Sequence, residues 1–145
     1  MPTLFTVGYE RLLPPELVNE LQLAGVRRLL DVRYRPQSRR PGMSKTRLSE
    51  LLGDHDIAYE HRKALGTPPD IRWLYRNGRN EEGRKAFLEH VEATASEELD
   101  TLAKELAVAP PTALMCLEAD PVGCHRRVVA EALRRRRPEL VVVDL

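Results

Sequence analysis

Two phenylalanines, four tyrosines and one tryptophan make up the whole aromatic complement of this 145-residue chain. So sparse a set argues against a broad stacking platform for nucleic-acid bases. Cysteine is scarcer still, and Cys116 and Cys124 are too few for a disulfide scaffold. A reducing cytosol would keep both as thiols, and a Cys116–Cys124 bridge ranks below that arrangement. No apolar run is long enough to cross a bilayer, and the amino terminus lacks a basic-then-apolar signal pattern. The expectation is a cytoplasmic protein with no membrane partner. A formal net charge of +1 means that the chain as a whole is not an obvious polyanion binder.

Charge is present in quantity but unevenly placed. Arg33, Arg35, Arg39, Arg40, Lys45 and Arg47 follow one another with no acidic residue among them. From Glu89 to Glu105 the sign reverses, with Glu92, Glu97, Glu98 and Asp100 between. Such runs are most often solvated faces; the basic one is also a candidate phosphate track, with Tyr34 or Trp73 stacking on bases. Length, and the absence of any low-complexity stretch, suit one domain over residues 1–145.

The apolar pattern alternates strand and helix. Strands are expected at Leu4–Gly8, Val26–Val32, Ile57–His61, Thr112–Glu118 and Leu140–Asp144. Pro14-Pro15 opens a helix that Gly25 closes, and Ser44 is a candidate N-cap for a short helix carrying Leu48, Leu51 and Leu52. Ile71 to Tyr75 reads as a helical turn broken by Asn77-Gly78. Glu82 to Val108 is helical by composition and divides near Thr94 to Ser96, and the last helix runs from Cys124 to Arg137. The order predicts an α/β fold: one three-layer domain with a mostly parallel sheet of about five strands flanked by helices.

In such a sheet ligands gather where strands end and helices begin. Tyr9, Asp31, Arg33, Tyr59, His61, Cys116 and Glu118 all fall at strand ends. The richest stretch runs from Ala113 to Arg127, where a buried strand hands over to a helix through Asp120-Pro121 and Gly123. Cys124, beside His125 and Arg126 at a helix start, has the environment of an activated thiolate, or of a small residue that tightens the turn. Cys116 reads as packing. Glu118 and Asp31 are candidate general acids or bases, and Asp31 with Arg33 also reads as a same-face ion pair. Arg126 opposes the helix dipole, so it needs a carboxylate (Glu118, Asp120 or Asp31) or an anionic ligand. No metal site is expected, because the Cys and His spacing matches no common zinc motif.

Thr6-Val-Gly-Tyr-Glu10, Asp31-Val-Arg33, Pro36-Gln-Ser-Arg-Arg-Pro41, Tyr59 with Leu65-Gly66, and Cys116-Leu-Glu118 with Cys124-His-Arg126 occur in a fixed order. Together they resemble the DUF488 family of small prokaryotic proteins. The resemblance implies a compact α/β domain with a polar site at these motifs; it supplies no reaction and no cofactor. Similar proteins often finish the last strand with histidine, where this chain has Asp144-Leu145. The reading is an enzyme for a small anionic, nucleotide-like substrate, with Cys124, Glu118 and Asp31 as candidate catalytic residues. Tyr9, Arg33, Ser38, Arg39, Tyr59, His125 and Arg126 are the candidate binding residues. A nucleic-acid-binding accessory module and a non-catalytic interaction domain are the alternatives.

Overall fold

The computed structural model describes residues 2–118 and 125–145. Five parallel strands form one sheet: β1 (Thr3–Gly8), β2 (Arg28–Asp31), β3 (Ala58–His61), β4 (Thr112–Cys116) and β5 (Val141–Asp144), in the spatial order β3-β2-β4-β1-β5. The helices are α1 (Pro14–Leu23), α2 (Lys45–Gly53), α3 (Pro69–Arg76), α4 (Asn80–Thr94), α5 (Ser96–Glu105) and α6 (Arg126–Arg136). The α/β class expected from the alternation is the class observed.

Strand alternation sends successive side chains to opposite faces, and each face meets its own helix layer. Leu29, Ala113 and Met115 pack with Leu17, Val18 and Leu21 of α1 and with Leu48 and Leu52 of α2. Leu30, Leu114 and Cys116 pack with Phe87, Val91, Leu99, Leu102, Val129 and Leu133 from α4, α5 and α6. β4 is buried at every residue, as a central parallel strand covered on both faces must be.

Local chemistry sets the helix ends. In α1 the Leu13 N–H donates to the Glu16 carboxylate at 2.8 Å, and Pro14 and Pro15 occupy positions where no N–H is needed. Ser44 does stand at the start of α2, but its hydroxyl caps nothing there. It accepts from the Ser38 N–H at 3.0 Å and donates to the Ser38 carbonyl at 3.2 Å, pinning the preceding loop instead. α3 is longer than the single turn expected from the sequence, because Pro68-Pro69 starts it and Gly78, at a φ of 73°, ends it. The long helical stretch divides at Ala95, where φ is −127°.

The acidic stretch is not simply a solvated face. Arg136 pairs with Glu92 at 2.8 Å and Asp100 at 2.6 Å, and Arg62 pairs with Glu98 at 3.3 Å. These pairs tie α5 to α6 and to the end of β3.

Gly8, at the carboxyl end of β1, lies against the segment that leaves β4. A Cβ built there would sit 1.7 Å from the Glu118 carbonyl oxygen and 2.8 Å from Arg126 Nη1. Those neighbours are backbone and a fully buried guanidinium, so neither yields cheaply. Gly8→Ala is expected to lower stability by about 3 kcal/mol. Urea denaturation checks it; an unchanged midpoint would mean that the two strand ends separate freely.

Candidate functional site

Strand order creates a crevice. From β2 the chain moves outward to β3, whereas from β4 it crosses β1 to reach β5. The neighbours β2 and β4 therefore send their connections in opposite directions, and the space beyond their carboxyl ends is left open. Arg33, Tyr34 and Arg35 follow β2 into this opening, and Leu117 and Glu118 follow β4.

Beneath the opening lies a buried polar knot. Asp31 is fully buried and Arg33 is 4% exposed. Arg33 donates through Nη2 to Asp31 Oδ2 at 2.7 Å and through Nε to Oδ1 at 2.9 Å, and through Nη1 to the Met43 carbonyl at 2.7 Å and Tyr9 Oη at 3.3 Å. The Tyr59 hydroxyl donates to Asp31 Oδ2. Burial opposes the Arg33 charge, but hydrogen bonding to and attraction by Asp31 outweigh it, so the guanidinium pKa is raised. Burial, then Asp31, likewise raises the Tyr59 phenol. Arg40 is also spent inside the protein, donating to the carbonyls of Tyr9, Glu10 and Leu12. The basic loop thus divides: Arg33 and Arg40 hold the fold, whereas Arg35 and Arg39 border open space. Ser38 serves the loop as well, its Oγ accepting from the Arg40 N–H at 3.1 Å.

A second knot forms where α6 begins. Arg126 is fully buried and donates to Thr6 Oγ1 at 3.2 Å, to Cys116 Sγ at 3.2 Å and to the Glu118 carbonyl. Thr6 in turn donates to Asp144 of β5. The need of Arg126 for acceptors, legible from its place in the first helical turn, is met partly by backbone and hydroxyl oxygens. His125 Nε2 lies 2.6 Å from the Val32 carbonyl, an acceptor, so that nitrogen carries the hydrogen. Burial, helped by the nearby Arg72 and Arg126 charges and only partly offset by that bond, pushes the His125 pKa down to about 4. The Phe87 ring meets it edge-on with centroids 5.4 Å apart.

Cys116 is disulfide-bonded, which departs from the free thiol expected of a cytosolic chain. Its sulfur lies on the α4–α6 face of the sheet, 3.6 Å from Glu118 Oε2. Cys124 and Asp120 lie outside the described residues.

The open space has two parts. A narrow inner cavity of about 40 Å³ is walled by Tyr9, Arg33, Thr67, Tyr75, Glu118 and His125, among others. An outer groove of about 510 Å³ is bordered by Arg39, Pro69, Trp73 and Arg76. Tyr34, Arg35, Gln37, Thr67 and Arg72 border both. Gly66 brings Thr67 to this place: a Cβ on it would lie 2.5 Å from the Tyr34 backbone, so only glycine lets the two segments touch.

Two buried hydroxyls of the inner wall, Thr67 Oγ1 and Tyr75 Oη, have no hydrogen-bond partner among the described residues. Burial, the largest cause, pushes the Tyr75 pKa up to about 12, so its phenol keeps its proton and remains a donor. Among the described residues, none of Arg35, Arg39, Arg72 and Arg76 pairs with a carboxylate. Thr67, Arg72 and Tyr75 were not singled out from the sequence. The available signal was the spacing of Arg72, Tyr75 and Arg76, which places them along one face of a helix. Among the described residues no group of three His, Cys, Asp or Glu side chains is arranged to hold a metal ion. No helix among them is long and apolar enough to cross a membrane.

The family model for the domain of unknown function DUF488 matches residues 14–133. The chain belongs to that family. No curated protein matches it, and no solved structure does. The DUF488 match takes in Asp31, Arg33, Thr67, Arg72, Tyr75 and Glu118, and leaves Tyr9, β1 and β5 outside.

Two outcomes follow from the knots. Asp31→Asn leaves the Arg33 charge buried without its counter-ion and should lower stability by about 3–5 kcal/mol. The double variant Asp31→Asn/Arg33→Met should lose less than the two single variants combined, as a double-mutant cycle by urea denaturation would register. For His125 the folded pKa of about 4 lies below the ordinary 6.5. Between those pH values the unfolded chain binds more protons, so stability falls as pH drops through that window. The His125 share is about 3 kcal/mol at most. His125→Gln, which can still donate to Val32, should flatten the loss between pH 6.5 and 4. Equal slopes for variant and wild type would show that the ring is not held neutral.

Proposed function

We propose that this DUF488 protein is an enzyme that seats the anionic group of a small, nucleotide-like substrate in the inner cavity between the ends of β2 and β4, with the rest of the molecule at the mouth beside Tyr34 and Gln37. Glu118 would be its general acid or base. The observation that carries this reading is the pair of buried hydroxyls on Thr67 and Tyr75 with no partner among the described residues. Leaving a buried donor unsatisfied costs about 1–3 kcal/mol, and an acceptor brought in by a ligand removes that cost. Arg35 and Arg72 border the same space without carboxylate partners, so that acceptor is best an anion. Once it is seated, the Glu118 carboxylate on the facing wall is positioned for proton transfer to or from the reacting group.

In this reading the remaining candidates support the site. Asp31, already accepting from Arg33 and Tyr59, positions the loop after β2. Tyr9 and His125 form part of the cavity wall, and Arg126 holds the Cys116–Glu118 side of it from behind. Chemistry through Cys116 would first need its disulfide opened, as a reducing cytoplasm would do. Acid–base transfer is therefore the branch favoured here over sulfur chemistry.

Calorimetric titration with inorganic phosphate and nucleoside 5′-monophosphates tests the reading. Wild type should bind at least one of them, and Thr67→Val and Arg72→Gln should each weaken binding about tenfold. Glu118→Gln should keep the affinity within about threefold and stop turnover of any nucleotide the wild type consumes, followed by chromatography. Absence of binding to wild type, or affinities untouched by both cavity variants, would overturn it.

A further inference from the structure

The outer groove has its own pattern. Arg35 and Arg39 stand on the loop that follows β2, and Arg72 and Arg76 stand on α3. Elsewhere, arginines that lie against packed elements find acceptors in the protein: Arg28 pairs with Glu105, Arg62 with Glu98 and Arg136 with Glu92, and Arg40 donates to backbone carbonyls. The four groove arginines have no carboxylate partner among the described residues. They leave a concave strip of uncompensated positive charge on a chain whose net charge is only +1.

An aromatic ring sits within that strip. Trp73 is 54% exposed, with the Arg79 guanidinium 5.8 Å from its ring centroid, and Tyr34 borders the place where groove and inner cavity join. Arg72 and Arg76, one helical turn apart, rise about 6 Å along α3. Successive phosphates of an unstacked strand can span that separation. Guanidinium groups at intervals with an exposed indole between them are the chemistry that grips a sugar-phosphate backbone and stacks on a base. A membrane surface fits less well, because the strip is concave. An acidic peptide would satisfy the charges but leave the indole unused.

We propose that the outer groove binds single-stranded nucleic acid, so that the substrate is a nucleotide within or at the end of a strand. The second clause rests on the reading of the inner cavity given above; the groove's own binding does not. Of the basic residues on the loop from Arg33 to Arg47, Arg35 and Arg39 border the groove, and α3 supplies the other wall.

Fluorescence anisotropy with end-labelled oligo-dT and oligo-rU of about ten nucleotides tests this, a length that covers one typical binding site. At least one should bind wild type more tightly than its own mononucleotide, with affinity falling as salt rises; the tighter of the two identifies the preferred sugar. Arg76→Gln should reduce the salt slope by about 0.7, the value for one phosphate contact on a single strand. Trp73→Ala should weaken binding roughly tenfold at unchanged slope. Neither residue borders the inner cavity, so mononucleotide binding should survive both changes.

If neither oligonucleotide outcompetes its mononucleotide, the groove proposal fails while the cavity reading stands. Oligonucleotide binding that persists when Thr67→Val and Arg72→Gln leave mononucleotide binding untouched would overturn the cavity reading and the link between the two sites. Polyglutamate or inorganic polyphosphate binding as tightly as the oligonucleotides, and indifferent to Trp73→Ala, would show a plain charge strip and overturn the proposal.

Discussion

The ion pair between Asp31 and Arg33 is the interaction on which this site depends. Neither side chain has appreciable contact with solvent, and a charge in that position is tolerable only with a counter-charge and satisfied hydrogen bonds. The bonds that satisfy it reach four separate parts of the chain. Tyr59 comes from β3, Tyr9 from the end of β1, the Met43 carbonyl from the far end of the loop, and the Arg33 N–H from the pair's own backbone. Anchoring Met43 at one end and Arg33 at the other closes the loop between them and holds Tyr34, Arg35 and Gln37 at the opening. The knot thus fixes the cavity wall, of which Tyr9 and Arg33 are themselves part.

Arg126 repeats the device on the other side of the crevice. Its guanidinium gathers the strand ends of β1 and β4 at the foot of α6, and the Thr6–Asp144 bond extends the tie to β5. With Arg33, Arg40 and Arg126 drawn into the fold, the cations that border open space are a different set, contributed by α3 and by the loop. Arginine here has two roles distinguished by its acceptors. Where the protein supplies them the residue is structural, and where it does not a ligand can.

Much of the architecture was legible because it rests on local periodicity. The continuous apolar runs at Leu29–Leu30 and Ala113–Cys116 and the apolar spacing of Leu17, Val18 and Leu21 are one-dimensional signals, and they lead directly to strands and helices. The same-face pairing of Asp31 with Arg33 was also readable, since residues two apart on a strand project together. Ser44 shows the limit: its type and place suggest a cap, yet its hydroxyl turns to Ser38, a partner six residues away that only the folded loop presents. α3 was underestimated because its apolar content is small. Its polar face, with Arg72 and Arg76, gives no burial signal while carrying the side chains that line the groove.

By itself the sequence determined the α/β class, the rough element boundaries, the placement of polar residues at strand ends and the strain of an arginine in the first turn of α6. Each of these depends on neighbours within a few residues along the chain. Tertiary structure alone decided the strand order, and with it that β2 and β4 are adjacent and diverge. It also decided which arginines are satisfied, that the Thr67 and Tyr75 hydroxyls find no partner among the described residues, and that α3 faces the loop after β2. The physical reason is the range of the interaction. Periodicity is written into consecutive residues, whereas hydrogen-bond satisfaction is settled between groups such as Arg126 and Thr6 that meet only when distant segments pack.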